Sequence, residues 1–254
     1  MYDGFAGVYD TLMDDYDYDA WSEYYLSLLR DGLGRLPARL VECACGTGSL
    51  TVRFARAGIK TIGVDLSASM LRRAEEKARH WGVGAAFVRQ DMKKLKLPRR
   101  VDAVLSTCDG VNYLTAPQDV QAFFKVAYDQ LLPGGMLCFD CSSQHKLEEV
   151  MGDAFFGEER DGISVLWKNA LNRQTHVLTM DVTFFVREED GRYRRFREEH
   201  RQRAHSQQEI IQWLGEAGFS SIHAYGEMRK DAPYKQDIRI HYTAQKPQEQ
   251  IFEL

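Results

Sequence analysis

A short apolar run that ends in a glycine-bearing turn is the first stretch of this chain whose residue types and spacing could do chemistry. Positions 40–43 are typical of a buried strand, and the pattern acidic-x-Ala-x-Gly-x-Gly runs from Glu42 to Gly48. Gly46 and Gly48 let the backbone turn sharply and approach a ligand closely. The helix expected next begins with unpaired N–H groups and a partial positive charge, which suit a nucleotide or another anionic group. The dinucleotide fingerprint differs, because it needs a third glycine where this chain has Thr51.

Carboxylates at two further strand ends favour a ligand site over a purely structural turn. The second predicted strand ends at Asp65, 17 residues after Gly48. In a parallel sheet, that carboxylate lies at the tip of the neighbouring strand, where it can accept two hydrogen bonds from ribose hydroxyls. Asp91 and Met92 follow the third predicted strand and add a second carboxylate beside an apolar side chain. The glycine turn and the acidic strand ends together are more informative than any one of them.

The elements that must position these groups alternate between helices and strands. Apolar spacing and stop signals predict helices over 2–12, 20–33, 50–57, 67–80, 117–132 and 209–217, and strands over 40–43, 60–65, 85–89, 102–106, 136–141, 221–225 and 238–244. This alternation indicates right-handed crossovers and a parallel α/β sheet. Between about 162 and 204 the pattern changes, and β-rich runs with an Asp190-Gly191 turn predict an antiparallel insertion of three or four strands.

Composition fits one large α/β domain. The chain has 254 residues, 44% of them hydrophobic, and a formal net charge of -4, which does not favour a general nucleic-acid partner. No membrane span or signal peptide is expected, so the predicted location is cytoplasmic. The five cysteines favour buried thiols in a reducing compartment. Cys138-x-x-Cys141 does not predict a metal site, because those two positions of a strand point to opposite faces.

Six ordered motifs resemble those of the class I S-adenosylmethionine-dependent methyltransferases, namely 42–48, 63–67, 90–92, 112–114, 131–135 and 216–219. The opening Tyr2-Asp3-x-Phe5-Ala6-x-x-Tyr9-Asp10, with Trp21, is most similar to the bacterial YqeM-like methyltransferases, and the layout is similar to glycine N-methyltransferase. The resemblance implies a single Rossmann-like α/β domain over 1–254, with a seven-stranded sheet in the order 3-2-1-4-5-7-6 and an antiparallel last strand. Residues 1–36 are expected to form a helical lid, and about 150–205 an inserted antiparallel β substrate cover.

The resemblance also implies which residues hold S-adenosyl-L-methionine and its product S-adenosyl-L-homocysteine. Glu42 and the glycine backbone would hold the methionine portion, Asp65 the ribose, and Asp91 the adenine amino group. The full set is Tyr9, Trp21, Glu42, Cys43, Ala44, Gly46, Gly48, Asp65, Leu66, Met70, Asp91, Met92, Thr107 and Cys108. Ala44 stands where the family often has glycine. A sulfonium cation suits acidic groups and aromatic faces, in agreement with an acidic, tyrosine-rich lid.

Methyl transfer needs a base only where a proton must leave the acceptor. The reaction is an in-line displacement on an activated carbon, so close positioning and exclusion of water can supply much of the acceleration. Asp109, Tyr113 and His145 follow the fourth and fifth predicted strands and could take such a proton. Each residue also fits an ordinary role, as a turn residue, a packed aromatic residue and an exposed polar residue respectively.

Acceptor binding is expected from Asn112, Tyr113 and the arginine-rich hairpin of the insertion. Arg201 or Arg203 could face inward and pair with an acceptor carboxylate or phosphate. The plainer interpretation is a solvated, salt-bridged hairpin, because Glu198 and Glu199 interrupt the arginines.

Three functional hypotheses follow. The first is a methyltransferase, monomeric or homodimeric, that acts on a small molecule in a covered pocket. The second is an RNA or protein methyltransferase whose arginine-rich hairpin forms a basic groove. The third is a non-catalytic regulator that binds S-adenosylmethionine. The acidic balance of charge and the insertion favour the first hypothesis.

Overall fold

The computed structural model describes residues 4–248 as a seven-stranded α/β sheet and a separate four-stranded sheet. The helices are α1 (Tyr9–Leu12), α2 (Tyr18–Leu33), α3 (Ser49–Arg56), α4 (Ala68–Trp81), α5 (Pro117–Gln130) and α6 (Gln207–Glu216). The main sheet contains β1 (Arg39–Cys43), β2 (Lys60–Asp65), β3 (Ala85–Arg89), β4 (Val101–Ser106), β5 (Leu131–Ser142), β10 (Ser220–Tyr225) and β11 (Arg239–Gln245). The small sheet contains β6 (Phe155–Arg160), β7 (Ile163–Asn172), β8 (Val177–Arg187) and β9 (Tyr193–Arg203). Tyr2 and Asp3, which belong to the opening motif, lie outside the described residues.

The main sheet has the order β3-β2-β1-β4-β5-β11-β10. Strands β1 to β5 run parallel, whereas β11 is antiparallel to both β5 and β10. Counted within this sheet alone, the order is 3-2-1-4-5-7-6, so the predicted order and its antiparallel last strand are confirmed. The register pairs Cys43 with Val64 and Asp65 with Arg89, which brings the carboxyl ends of β1, β2 and β3 to one edge.

The insertion forms an antiparallel meander in the order β6-β7-β8-β9. Buried and partly buried residues alternate along β8, as expected for a sheet with one covered face. Asp190 and Gly191 lie in the connection between β8 and β9, where the predicted turn occurs. A single π-helical turn (His145–Met151) links β5 to this sheet.

Local signals in the sequence explain several helix ends. The Ser67 hydroxyl accepts from the backbone N–H of Met70 over 3.3 Å and caps α4. Ser206 and Glu209 form the predicted capping box at the start of α6. Gly34 ends α2 in the left-handed conformation at φ 69°. No helix within residues 4–248 is long and apolar enough to cross a membrane.

Two predicted elements differ from the structure. The first helix is interrupted: a 3₁₀ turn (Phe5–Gly7) precedes the short α1, in keeping with the low helix propensity of Gly7. Strand β5 begins at Leu131 rather than at 136. The segment Pro133-Gly134-Gly135, expected to precede the strand, lies within it at an irregularity in the pairing with β4.

Three apolar clusters hold the layers together. The first joins the main sheet to α5 and α6 around Phe123, and the second joins it to α2 and α3 around Tyr25. The third covers the inner face of the small sheet and includes Val8 and Phe5 of the N-terminal segment. Full burial of one large apolar side chain contributes about 1.5–3 kcal/mol. The N-terminal segment is therefore packed against the insertion, and both lie beside the carboxyl edge of the main sheet.

Candidate active site

Two adjoining cavities lie at the carboxyl ends of β1, β2 and β4. The larger cavity has a volume of about 300 Å³ and the smaller one about 50 Å³. Both cavities are lined by Tyr9, Ala44, Gly46 and Cys108. Predicted cofactor residues also line the larger cavity (Asp65, Leu66, Met70, Asp91 and Met92) and the smaller one (Glu42 and Thr107). The fold thus brings most of the predicted cofactor residues to one continuous site.

The glycine turn is held directly to the end of β2. Asp65 accepts hydrogen bonds from the backbone N–H groups of Gly46, over 2.9 Å, and Ser67, over 2.8 Å. Burial raises the pKa of the Asp65 carboxyl, and those backbone donors oppose the shift. Ala44, Gly46 and Gly48 all have positive φ, at 53°, 54° and 73°. Ala44 therefore carries some backbone strain that a glycine at this position would avoid.

The turn leaves space that an elongated ligand can use. A Cβ placed on Gly46 would meet no heavy atom within 4 Å, and Gly46 lines both cavities. At Gly48 the reason for glycine differs, since a Cβ would lie 2.8 Å from the Cβ of Ala74. Gly48 thus allows α3 and α4 to pack closely, and it does not line either cavity.

Glu42 is a buried carboxylate at the smaller cavity. It is 2% exposed and accepts hydrogen bonds from the hydroxyls of Thr51 and of Thr107, the latter over 2.8 Å. Burial raises the pKa of Glu42 to about 7, although both threonines favour the ionised form. A cationic ligand group in this cavity would shift Glu42 towards its carboxylate form.

Acidic and apolar side chains line the larger cavity together. Asp91 accepts the backbone N–H of Lys93 over 2.9 Å, and Met92 is 8% exposed. Leu66, which is 59% exposed, and Met70 line the same cavity. The residues present therefore fit S-adenosylmethionine, since the carboxylates of Asp65 and Asp91 could accept from its ribose and adenine and Glu42 lies in the adjoining cavity.

A buried ion network holds the loop that follows β4. Cys108 and Asp109 have positive φ, at 54° and 66°. Their backbone N–H groups donate to Asp140 over 2.8 and 3.1 Å, respectively. Asp140 is fully buried and also pairs with Arg239 and with the Tyr25 hydroxyl. This network places Cys108 against both cavities despite the strained backbone.

Asp109 does not line either cavity, which argues against its predicted role as a base. Its carboxylate pairs with Arg239 at 2.5 Å and accepts from the Ser142 hydroxyl over 2.8 Å. Burial alone would raise the pKa of Asp109, but Arg239 and Lys146 keep it below the usual value. A carboxylate held ionised by a buried guanidinium is a weak proton acceptor.

The other two predicted bases lie in different places. His145 lines a separate cavity beside Pro233 and Tyr234, contacts Glu149 at 3.0 Å and lines neither cofactor cavity. Tyr113 lines the larger cavity, and its hydroxyl lies 3.4 Å from Nδ1 of His200. Of the three predicted bases, Tyr113 alone lines this site.

The predicted acceptor residues other than Tyr113 have structural partners. Asn112 is fully buried. Its side-chain NH₂ donates to the carbonyl oxygens of Ser142 and Arg203, and its side-chain oxygen accepts from the Ser142 backbone N–H. Arg203 is buried against Glu209, at 2.6 Å. Arg201 points outward, with a side chain 62% exposed and paired with Glu199. These positions fit the salt-bridged interpretation of the hairpin better than the inward-facing one.

Besides Gly48, two predicted cofactor residues lie outside the cavity walls. Cys43, the last residue of β1, is fully buried in the core. Trp21 packs against His241, Tyr16 and the guanidinium of Arg239, and lines neither cavity. Their expected contacts with the cofactor are therefore not supported.

Several residues of the cavity walls were not predicted from the sequence. They are Phe5, Ser67, Gln90, Lys93, Gly110, Leu114 and Asp119 in the larger cavity and Tyr18, Cys45, Thr47, Ser49 and Leu50 in the smaller one. Some of them, such as Gln90, are next to a predicted residue in the chain, and that position could have identified them. Asp119 lies in the first turn of α5 and carries no signal that links it to β2. Within residues 4–248, no group of three or more His, Cys, Asp or Glu side chains is arranged to hold a metal ion.

Comparison with known proteins agrees with this arrangement. A family model for the methyltransferase domain matches residues 40–135. A Geobacillus protein named as a methyltransferase is 36% identical over 246 residues, which cover 96% of this chain and 99% of the relative. The protein YqeM of Bacillus subtilis, also named as a methyltransferase, is 33% identical over 247 residues and 97% of each chain.

A solved structure and a more distant relative add to the comparison. The S-adenosylmethionine-dependent methyltransferase from Clostridium acetobutylicum has a TM-score of 0.88 and 30% identity, covering 97% of this chain and 99% of its own. The dTDP-3-amino-3,4,6-trideoxy-alpha-D-glucopyranose N,N-dimethyltransferase of Streptomyces venezuelae is 28% identical over 202 residues, which cover 77% of this chain and 81% of the relative. From the sheet, the glycine turn and these relatives together, the chain belongs to the S-adenosylmethionine-dependent methyltransferases and is a YqeM-like member of that family.

Proposed function

We propose that this enzyme transfers the methyl group of S-adenosylmethionine to an amino group of a small molecule. The observation that carries the proposal is the aromatic wall of the larger cavity. Phe5, Tyr9 and Tyr113 line this cavity, the rings of Phe5 and Tyr9 lie 5.3 Å apart, and Tyr9 also lines the smaller cavity. Such an aromatic pocket suits a small acceptor, whereas a polymer would need an open groove.

The cofactor would lie along the two cavities. Glu42 and the turn at Gly46 would face its methionine portion, Asp65 its ribose, and Asp91 with Met92 its adenine. Its sulfonium would then lie near the residues shared by both cavities, beside Tyr9 and Cys108. When bound, the cofactor supplies an activated methyl group, and the protein's task is to hold the acceptor in line and dry.

The N-terminal segment and the insertion would cover the acceptor. Phe5 packs against Phe184 of β8, with ring centroids 5.3 Å apart, while Phe5 also lines the larger cavity. Arg160 of β6 pairs with Asp14 and, at 3.1 Å, with Asp15 in the loop after α1. Residues 1–36 as a lid and about 150–205 as a substrate cover would thus close over the acceptor as one unit.

The arginines of the hairpin do not support an RNA or protein acceptor. Arg192, Arg194 and Arg201 pair with carboxylates of their own sheet or its connecting turn at 2.5, 3.1 and 3.0 Å, and Arg197 pairs with Asp181. Their charge is therefore largely balanced before any phosphate could bind. An amine acceptor is favoured because the Streptomyces relative named above is an amino-sugar N,N-dimethyltransferase.

Methyl-labelled S-adenosylmethionine tests this proposal. The purified enzyme would be incubated with a panel of glycine, sarcosine, dTDP-linked 3-amino sugars, simple alcohols, bulk tRNA and unfolded protein. We expect label to enter at least one small amine, with the product identified by mass spectrometry. Label that enters only tRNA or protein, or only the alcohols, would contradict the proposal.

A further inference from the structure

Strand β9 presents a row of polar side chains to the covered side of the insertion. Glu198, His200 and Gln202 are 8%, 5% and 7% exposed, while their neighbours Arg197, Glu199 and Arg201 are exposed. Alternation along a strand places the three buried residues on one face. Polar residues are unusual on the inner face of a sheet, where β8 contributes the apolar residues paired with them in register (Val182, Met180 and Leu178).

The middle residue of this row reaches the proposed acceptor chamber. His200 Nδ1 lies 3.4 Å from the Tyr113 hydroxyl, and the His200 ring lies 5.4 Å from the ring of Phe5. Both Tyr113 and Phe5 line the larger cavity. Tyr113 is 40% exposed, so its hydroxyl can meet a ligand on one side and the imidazole on the other.

Tyr113 shares the larger cavity with residues of the junction where the methyl group would be presented. Tyr9 and Cys108 line both cavities, and Tyr113 lines the larger one with them. The Tyr9 ring lies 5.3 Å from that of Phe5, and the Phe5 ring lies 5.4 Å from that of His200. The contact between the Tyr113 hydroxyl and His200 therefore links this cavity to the insertion.

We propose that His200, acting through the Tyr113 hydroxyl, accepts the proton that an ammonium acceptor must lose before it can be methylated. The inference rests on the proposed amine acceptor and adds a route for its proton. Tyr113 would contact the acceptor, whereas His200 would act through Tyr113, and Glu198 would stabilise the imidazolium that forms. The three residues would serve the same purpose as other hydroxyl, imidazole and carboxylate relays.

The charge balance of the step is simple. An ammonium acceptor passes one proton to the Tyr113 oxygen as the Tyr113 proton passes to His200 Nδ1, which leaves a neutral amine and an imidazolium. The amine lone pair then forms the bond to the methyl carbon, and the electron pair of the broken carbon–sulfur bond stays on sulfur. The product is a methylated ammonium ion, and His200 returns its proton to solvent.

The surroundings of His200 suit a proton acceptor that is neutral before the reaction. Burial lowers the pKa of His200 below its usual value, and Glu198 opposes the shift. Titratable groups that face His200 include Glu198 on its own strand and Tyr113 from the turn after β4. Phe5 of the N-terminal segment and Met180 of β8 face it without charge. His200 is therefore neutral near pH 7, and Glu198 can compensate the charge it gains.

Nuclear magnetic resonance of the His200 ring tests the relay without turnover. The full-length protein with S-adenosylhomocysteine would be compared with His200→Asn, which assigns the signals, and with Tyr113→Phe and Glu198→Gln. We expect a neutral ring at pH 7 with its proton on Nε2, a changed Nδ1 signal in Tyr113→Phe and a lower His200 pKa in Glu198→Gln. A ring protonated on Nδ1, or one already charged at pH 7, would overturn the inference.

The pH profile of methyl transfer provides the second readout. With the amine that the wild-type enzyme methylates, His200→Asn should lose about a hundredfold in kcat at pH 7 and recover most of it near pH 9.5, because the amine then deprotonates in water. His80→Asn, a matched change of an exposed histidine on α4, should behave as wild type. An equal fractional loss at every pH would indicate a structural role and overturn the inference. If the wild-type enzyme methylates no amine, the proposed function fails, and the resonance experiment still decides whether the relay exists.

Discussion

The backbone N–H of Gly46 donates to Oδ2 of Asp65 over 2.9 Å. This bond links the glycine turn after β1 to the carboxylate at the end of β2, although the two residues are 19 positions apart. The second Asp65 oxygen accepts from Ser67 over 2.8 Å. Asp65 thus shapes the turn and, lining the larger cavity, keeps lone pairs available for a ligand.

Replacement of Asp65 should weaken cofactor binding severely. Asp65→Ala removes a carboxylate that would bond ribose hydroxyls and that also holds Gly46. Charge-assisted hydrogen bonds contribute about 1.5–3 kcal/mol, so we expect the Kd for S-adenosylmethionine to rise roughly ten- to hundredfold in calorimetry. Asp129→Ala, in which an exposed carboxylate paired with Lys125 is lost, serves as the control. An unchanged Kd in a folded Asp65→Ala protein would rule out the assigned ribose contact.

Glu42 should make stability of the ligand-free protein depend on pH. Its pKa is raised from 4.5 to about 7 in the folded state, so the native protein binds this proton more tightly than the unfolded chain does. The resulting stabilisation is complete below pH 4.5 and is lost as pH rises through 7. Between pH 5 and pH 8, wild type should lose about 3 kcal/mol of unfolding free energy relative to Glu42→Gln.

Urea unfolding at several pH values would measure the Glu42 effect. Glu75→Gln, a change of an exposed carboxylate on α4, serves as the matched control. A difference between wild type and Glu42→Gln that is constant across the range would show that Glu42 titrates normally. It would also remove the basis for expecting proton release when a cationic ligand group binds beside it.

Arg239 should be essential to the loop after β4. It lies between the carboxylates of Asp109, 17% exposed, and Asp140, which is fully buried, and Arg239→Met would remove the guanidinium that both contact. Loss of one partner from a buried ion pair costs about 3–5 kcal/mol, and we expect a loss of this size in urea unfolding. Arg30→Met, at a half-exposed site 3.9 Å from Glu23, should change stability little. A small effect at Arg239 would mean that the carboxylates bind protons instead.

The pairing of Arg160 with the loop after α1 should control how often the proposed N-terminal lid opens. Arg160→Gln removes the contacts with Asp14 and Asp15, which are exposed and contribute little to global stability. Amide hydrogen exchange of residues 9–16 should become several-fold faster while the main sheet stays protected. Arg173→Gln breaks a pair with Asp153 in the insertion and its flanking loop, and it should leave the hydrogen exchange of residues 9–16 unchanged. Equal exchange in the two variants would show that other contacts hold the lid.

Local patterns in the sequence predicted the strands and the glycine turn, because the residues that form each of them are near neighbours in the chain. The order of the strands came from the resemblance to the methyltransferases, and the structure confirms it. Asp65 and Asp91 could be picked out because Asp65 ends β2 and Asp91 follows β3 by two residues, and parallel strands bring their carboxyl ends to one edge.

The acceptor side depended on tertiary structure. Asp109 and Tyr113 are four positions apart, yet Arg239 ties Asp109 into the buried network and leaves Tyr113 at the larger cavity. His200 lies 87 positions from Tyr113, and which face of β9 it shares with Glu198 depends on the strand's pairing register. Sequence alone determined the methyl donor, whereas long-range packing of the insertion and of β11 decided which polar groups could meet the acceptor.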